Sequence, residues 1–256
     1  MESVTPFERE MEIGQRIMRR AGAIALEHWG KVHFEEKPDL SPVTLADREC
    51  EAFIVSALAE EFTADGVLGE EGASKESTNG RRWIIDPIDG TRDFIRGNPS
   101  WAMFLALEEH GEVVAGFAHF PATDELFFAA RGSGSYVNGD RIQVSNIDAQ
   151  NQAVLCINGF GPLRRYAFNQ DLLEWMSRFW AVRSFGGARD GVMVARGQAD
   201  LWLEASAKPW DLAALKIVAE EAGARCFDFT GQNTIYGGNF IICTPGLEPT
   251  VKWLLL

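Results

Sequence analysis

The run Trp83-Ile84-Ile85-Asp86-Pro87-Ile88-Asp89-Gly90-Thr91 constrains the fold more than any other stretch of this 256-residue chain. Three bulky apolar residues in a row suit a strand buried on both faces, and the spacing predicts that it ends on Asp86. Pro87 lacks an amide hydrogen and has a fixed φ, so the chain is expected to turn there. Asp89, Gly90 and Thr91 then lie where a helix begins, with free amides open to an anion. Two carboxylates three residues apart around a rigid turn can converge on one or two hard cations, and such oxygen donors suit magnesium. Each also has a plainer reading, in which Asp86 caps a turn and Asp89 caps a helix.

Two further element ends carry carboxylates. Glu70-Glu71 follows the short apolar strand Val67-Leu68 and Gly69, and Asp211 follows Trp210 at the start of a helix to about Glu221. Alone, Asp211 reads as an N-cap; together, three such ends make a site.

Helical spacing of Ile13, Ile17, Ala21, Ile24 and Ala25 predicts a helix from about Glu10 to Trp29, stopped by Gly30. Pro38 to Pro42 is turn material. Thr44 is the expected N-cap of a second helix to about Glu61, with Asp47 in its first turn. Strands are expected at Arg82–Asp86, Trp101–Leu107, Val113–Phe120 and Glu125–Ala130, and Asn138-Gly139 marks a hairpin. This half reads as helices on a largely antiparallel sheet.

Beyond a polar stretch at Asp148–Gln152 the rhythm changes. Short strands at Ala153–Ile157, Ala181–Ser184 and Ala199–Leu203 alternate with helices at about Asn169–Phe179 and Arg189–Arg196, and Cys226–Phe229 and Phe240–Cys243 return as strands. The expected class is therefore α/β (α+β), divided into residues 1–148 and 149–256.

Composition narrows the partners. Acidic residues outnumber Lys plus Arg by 37 to 24, a net charge of -13, which disfavours nucleic acid and anionic membrane. With 17 Phe and 8 Trp the chain has ample material for a core. Cys50, Cys156, Cys226 and Cys243 lack zinc-finger spacing and read as reduced cysteines of a cytoplasmic protein. Met1 to Glu12 lacks the apolar run of a signal peptide, and no stretch is long and apolar enough to span a membrane. The four histidines are too scattered for a base–nucleophile pair.

The motifs resemble the inositol monophosphatase family of magnesium-dependent, lithium-sensitive phosphatases. The resemblance runs through Lys37, Pro42-Val43-Thr44 with Asp47, Gly69-Glu70-Glu71, the Asp86-to-Thr91 block, Gly97-Asn98-Pro99, Asn138-Gly139 and Trp210-Asp211. It implies a layered α/β/α/β/α sandwich and a homodimer. It also implies that Glu70, Asp86, the Ile88 carbonyl, Asp89 and Asp211 hold two to three Mg2+ ions. Asp47 and Thr91 would form a hydrogen-bonded pair that orients water, with Lys37 near the metals. Gly90 and Thr91 amides would meet the phosphate, and Arg183, Gly187, Asp190, Glu204 and Asp211 would frame the alcohol of a small phosphorylated metabolite.

Within that family the chain looks most like the histidinol-phosphate phosphatases of actinobacterial type, through Lys37-to-Thr44, Trp101-Ala102 and Trp210-to-Leu215. The resemblance implies hydrolysis of histidinol phosphate, with inositol-1-phosphate or broad polyol phosphates as the alternative. A nucleotide 3′-phosphatase and a non-catalytic binding relative fit less well. Three departures stand out. The position after Gly186, often acidic in histidinol-phosphate enzymes, is Gly187; Asp190 comes three residues later and reaches the pocket only if the loop is rearranged. Arg189 is placed to favour a second anionic group. Asp93 stands where relatives usually carry Asn, and is expected to cap a helix.

Overall fold

A computed structural model describes residues 7–31, 33–38 and 41–255. The first half runs α1 (Glu8–His28), β1 (Phe34–Glu36), β2 (Pro42–Thr44), α2 (Leu45–Glu61), β3 (Gly66–Gly69), β4 (Ser74–Lys75) and β5 (Arg81–Asp89). It continues through α3 (Thr91–Ile95), β6 (Ala102–Glu109), β7 (Glu112–Phe120), β8 (Glu125–Ala130), β9 (Gly134–Val137) and β10 (Asp140–Ile142). The second half runs β11 (Val154–Asn158), α4 (Phe160–Leu163), α5 (Leu172–Met176), β12 (Ala181–Arg183), α6 (Gly187–Ala195) and β13 (Leu201–Glu204). It closes with α7 (Pro209–Glu221), β14 (Arg225–Phe227), β15 (Phe240–Cys243) and α8 (Glu248–Val251).

Two main sheets organise most of these elements, eight strands in the order β10-β9-β8-β7-β6-β5-β3-β4 and five in the order β12-β11-β13-β15-β14, while β1 and β2 form a separate antiparallel pair. Three apolar cores separate five layers. The first lies between α1 and α2 and one face of the large sheet, where Ile17, Met18, Ile54 and Trp83 meet Phe117. The second fills the space between the two sheets around α6 and α7, with Phe104, Phe127, Trp202 and Leu215. The third, around Leu155, Phe168, Trp175 and Phe229, covers the outer face of the small sheet. The expected layered sandwich is the one that forms. Among the described residues no helix is long and apolar enough to cross a membrane.

Parallel strand pairs decide where the site falls. In the large sheet β3 runs parallel to β5 with Gly69 opposite Ile85, so Glu70 emerges beside Asp86. In the small sheet β11 runs parallel to β13 with Asn158 opposite Glu204. Helix α7 packs on both sheets and brings its N-terminus to the same end. Carboxyl ends of parallel strands are where α/β proteins leave room for ligands, because the chain departs there into connections.

The expected strand end at Asp86 is corrected. β5 continues to Asp89, with Asp86 opposite Phe104 and Asp89 opposite Ala102, so one extra residue is accommodated between them. Pro87 cannot donate to the ladder, and a bulge absorbs it without ending the strand. The helix expected at Asn169–Phe179 is also shorter: a 3-10 turn at Ala167–Gln170 and α5 meet at Asp171, whose backbone lies at φ -103 and ψ 0. Residues 39 and 40 of the turn expected at Pro38–Pro42 lie outside the described residues.

Candidate active site

Asp86, Asp89 and Asp211 converge so that one carboxylate oxygen from each lies within 4.8 Å of the others. They line a cavity of about 250 Å³ together with Glu70, Ile88, Gly90 and Thr91. The bulge at Pro87 gives this geometry: Asp86 Oδ1 accepts the Ile88 amide at 3.1 Å, and the strand re-aims to present Asp89 on the same side. Gly90 then takes the left-handed backbone, φ 80, that turns the chain into α3.

Asp47 and Asp211 are built alike. Each occupies the third position of its helix and accepts the N-cap amide through Oδ2, from Thr44 at 2.8 Å and from Lys208 at 2.7 Å. One oxygen of each fixes the helix start; Asp211 lines the cavity, whereas Asp47 does not. Among the described residues Asp47 Oδ1 is buried with no hydrogen-bond partner.

Burial raises the pKa of all four of these aspartates. Asp47 and Asp211 are each pushed up to about 6, with the charge of Glu70 adding to the effect. Asp86, 1% exposed, and Asp89 rise well above the usual carboxylate range, first from burial and then from neighbouring carboxylates. Like charges crowded out of water need a cation among them to remain ionised. An all-oxygen donor set with an unpartnered buried oxygen nearby fits a hard divalent cation. Lys37 does not fill that role, because its Nζ is held by Glu70 Oε1 at 2.9 Å and Glu71 Oε1 at 2.6 Å. Burial works against the Lys37 ammonium, but these two glutamates keep its pKa above the ordinary value.

A second cavity of about 230 Å³ shares Asp89, Gly90 and Asp211 with the first and extends to Asn158, Gly187, Trp202, Glu204 and Ser206. Glu204 is 9% exposed; its Oε1 accepts the Ser206 amide at 3.2 Å, and burial pushes its pKa up to about 7. Gly187 leaves its part of the wall open: a Cβ there would stand 3.5 Å from Glu204 Oε2 and 3.8 Å from Trp202.

Not every expected residue reaches these cavities. The expected Asp47–Thr91 hydrogen bond is not formed: the Thr91 hydroxyl donates to Ile88 O at 3.2 Å, and the Thr44 hydroxyl takes Asp47 Oδ2 at 2.6 Å. Asp190 is fully buried, accepting the Phe185 amide at 3.0 Å and Asn158 Nδ2 at 2.7 Å, so it stands behind Asn158 and does not line the pocket itself. Arg183 is exposed and bonds its neighbour's carbonyl, Val182 O. Arg189 is spent on Glu125 at 2.6 Å and on the Phe120 ring, which removes it as a partner for a second anion. Asp93, expected to cap a helix, does not: Gly90 occupies the N-cap of α3 with no side-chain cap, and Asp93 lines the first cavity and accepts Asn98 Nδ2 at 2.7 Å.

The sequence alone does not single out Asn158 or Glu51. Asn158 follows an ordinary apolar strand and carries no local signal. Glu51 does carry one: it stands four residues after Asp47, on the same helical face.

A family model described as the inositol monophosphatase family matches residues 8–253. A histidinol-phosphatase of Chlorobaculum parvum is 36% identical over 235 residues, covering 91% of each chain. One from Mycobacterium tuberculosis is 37% identical over 221 residues, covering 84% of this chain and 85% of that one. Among solved structures, an IMPase of Thermotoga maritima superposes with a TM-score of 0.87 at 31% identity, covering 96% of each chain.

Proposed function

This chain belongs to the inositol monophosphatase family, and from that premise we propose that it is a magnesium-dependent phosphatase of histidinol phosphate. The observation that carries the hydrolytic part is the convergence of Asp86, Asp89 and Asp211, two of which, Asp89 and Asp211, also line the adjoining second cavity. The choice of substrate is supported by the names of two histidinol-phosphatases at 36% and 37% identity, beside an inositol-1-monophosphatase of Rhizobium meliloti also at 36%.

Glu70, Asp86, the Ile88 carbonyl, Asp89 and Asp211 would hold two to three Mg2+ ions. When bound, these ions supply positive charge to the phosphate dianion and acidify water. The protein's own groups supply orientation. Gly90 and Thr91, at the turn into α3, present backbone amides to the phosphate oxygens. The Thr91 hydroxyl, donating to Ile88 O, keeps its oxygen lone pairs free to accept from the attacking water. Asp47 Oδ1, buried and unpartnered, is the available acceptor for the displaced proton. Lys37 holds the Glu70-Glu71 pair in place.

Glu204 would face the alcohol portion. A buried carboxylate raised to about 7 gains from an ammonium ion brought beside it, which suits histidinol. One observation favours inositol-1-phosphate instead. Gly187 adds no second carboxylate beside Glu204 and Asp190 stands behind Asn158, leaving a roomy wall for a polyol. Under the same proposal residues 1–148 supply most metal ligands and residues 149–256 supply Asp211 and Glu204. A cytoplasmic homodimer completes it; four free, buried cysteines accord with a reducing compartment.

The test is phosphate release with Mg2+, comparing kcat/KM for histidinol phosphate, inositol-1-phosphate and a nucleotide 3′-phosphate. Histidinol phosphate is expected to lead by roughly 100-fold, about 2.7 kcal/mol of transition-state discrimination. Leadership by inositol-1-phosphate would establish the alternative, and no release from any of the three would sink the enzymatic reading.

A further inference from the structure

The turn between β3 and β4 carries Glu70, and a carboxylate from another element shapes that turn. Glu51 of α2 is 5% exposed. Its Oε2 accepts the Glu71 amide at 2.9 Å, and its Oε1 accepts the Ala73 amide at 2.9 Å. Gly69 closes the turn by donating to Ala73 O at 2.7 Å, and its lack of a side chain admits the carboxylate, since a Cβ there would overlap Glu51 Oε2. Glu70 is thus pinned from two directions. Its own amide donates to Ile85 O at 3.1 Å, tying it to β5. The next amide along the chain is tied through Glu51 to α2, the helix that also carries Asp47.

We propose that Glu51 is a positioning residue for the cation site, acting through the Glu70-Glu71 turn. A carboxylate accepting two backbone amides makes charge-assisted hydrogen bonds, stronger than neutral ones and directional at both oxygens. Loss of that clamp releases the turn at Glu71 and Ala73, and the Glu70 carboxylate loses its fixed approach to Asp86, Asp89 and Asp211. Groups that orient metal ligands typically matter at roughly 10–100-fold in metal affinity. The inference rests on the reading that Glu70 ligates the cation with the three aspartates.

Glu51→Gln keeps the size of the side chain and replaces one acceptor by an NH2 that faces an amide N–H. Calorimetric titration of the metal-free protein with Mg2+ alone, without substrate, is expected to show roughly tenfold weaker binding or worse. The Mg2+ activation midpoint should shift by the same factor, while kcat at saturating Mg2+ stays within a few-fold. Mg2+ affinity within twofold of wild type in the folded variant, whatever its melting temperature, would overturn the proposal by showing Glu51 to be a structural clamp only. Where Gln prevents folding, Glu51→Asp, which keeps the charge but shortens the reach, is the second variant: tenfold weaker Mg2+ binding supports the proposal and wild-type affinity overturns it. A wild-type protein that takes up no Mg2+ would instead refute the magnesium reading itself.

Discussion

Asp47 and Asp211 do two jobs with two oxygens. Oδ2 of each completes a helix start, and replacing such a group costs about 1 kcal/mol of stability. The other oxygen is left over by local structure and becomes useful only where the helix start is buried against other carboxylates. The cap was legible in the sequence at Thr44; the leftover oxygen was not. Glu204 illustrates the reverse case. Resemblance marks it out, yet its environment decides its behaviour: the carboxyl is held among Gly159, Gly187 and Trp202 at the end of β13. Glu204→Gln is expected to raise KM for an ammonium-bearing phosphate by about tenfold, or about 1.4 kcal/mol, while leaving Mg2+ affinity unchanged. Steady-state kinetics at saturating Mg2+ check this, and an unaltered KM would remove Glu204 from the recognition surface.

At the scale of elements, α1 lies flush on β7 because two of its residues have no side chain. A Cβ at Gly14 would overlap the Phe117 ring, and one at Gly22 would overlap the His119 ring. The helix itself was readable from apolar spacing, but the role of Gly14 and Gly22 within it was not, since glycine lowers helix propensity and gives no hint of its partner. His119 is 4% exposed and its Nδ1 donates to Met18 O at 2.9 Å. Burial lowers its pKa from 6.5 to about 4. The sign follows from linkage. As pH falls below 6.5 the unfolded chain takes up a proton that the folded chain refuses until about pH 4, so stability drops across that window, by at most about 3 kcal/mol. His119→Gln is expected to flatten this component. Urea melts from pH 4.5 to 7.5 should show wild type losing more stability than the variant toward acid, and parallel curves would refute the assignment.

At the scale of the molecule, β7 holds three layers together with adjacent residues. Phe117 faces α1, and Gly116 faces α7 so closely that a Cβ would overlap Ile217 Cγ2 and lie 3.0 Å from the Ala214 Cα. Helix α7 in turn carries Asp211 at its N-terminus, so the fit of β7 against α7 also sets the distance from Asp211 to the β5 bulge. Gly116→Val is expected to destabilise the fold by about 1–3 kcal/mol through overpacking and to weaken Mg2+ binding at the same time. Thermal melting and Mg2+ titration check the pair of effects; a stability loss with unchanged Mg2+ affinity would separate the layer contact from the site.

Most elements and the chemical inventory follow from local sequence: a buried strand leading to two aspartates, a capped helix with Asp47, a helix beginning at Asp211, and a run of apolar stripes sufficient for layered cores. Those are local properties, set by periodicity, turn residues and side-chain chemistry within a few positions. Which ends meet is set by long-range packing. The parallel register of Gly69 with Ile85 places Glu70 beside Asp86, the bulge at Pro87 carries Asp89 round to join them, and α7 spans both sheets to add Asp211. The same packing bonds Asp190 to Asn158 and Arg189 to Glu125, so that neither lines the pocket that their spacing left open to them. The physical reason is that register and layer contact are fixed by packing between residues far apart in the chain, where a one-residue slip moves every side chain to the opposite face.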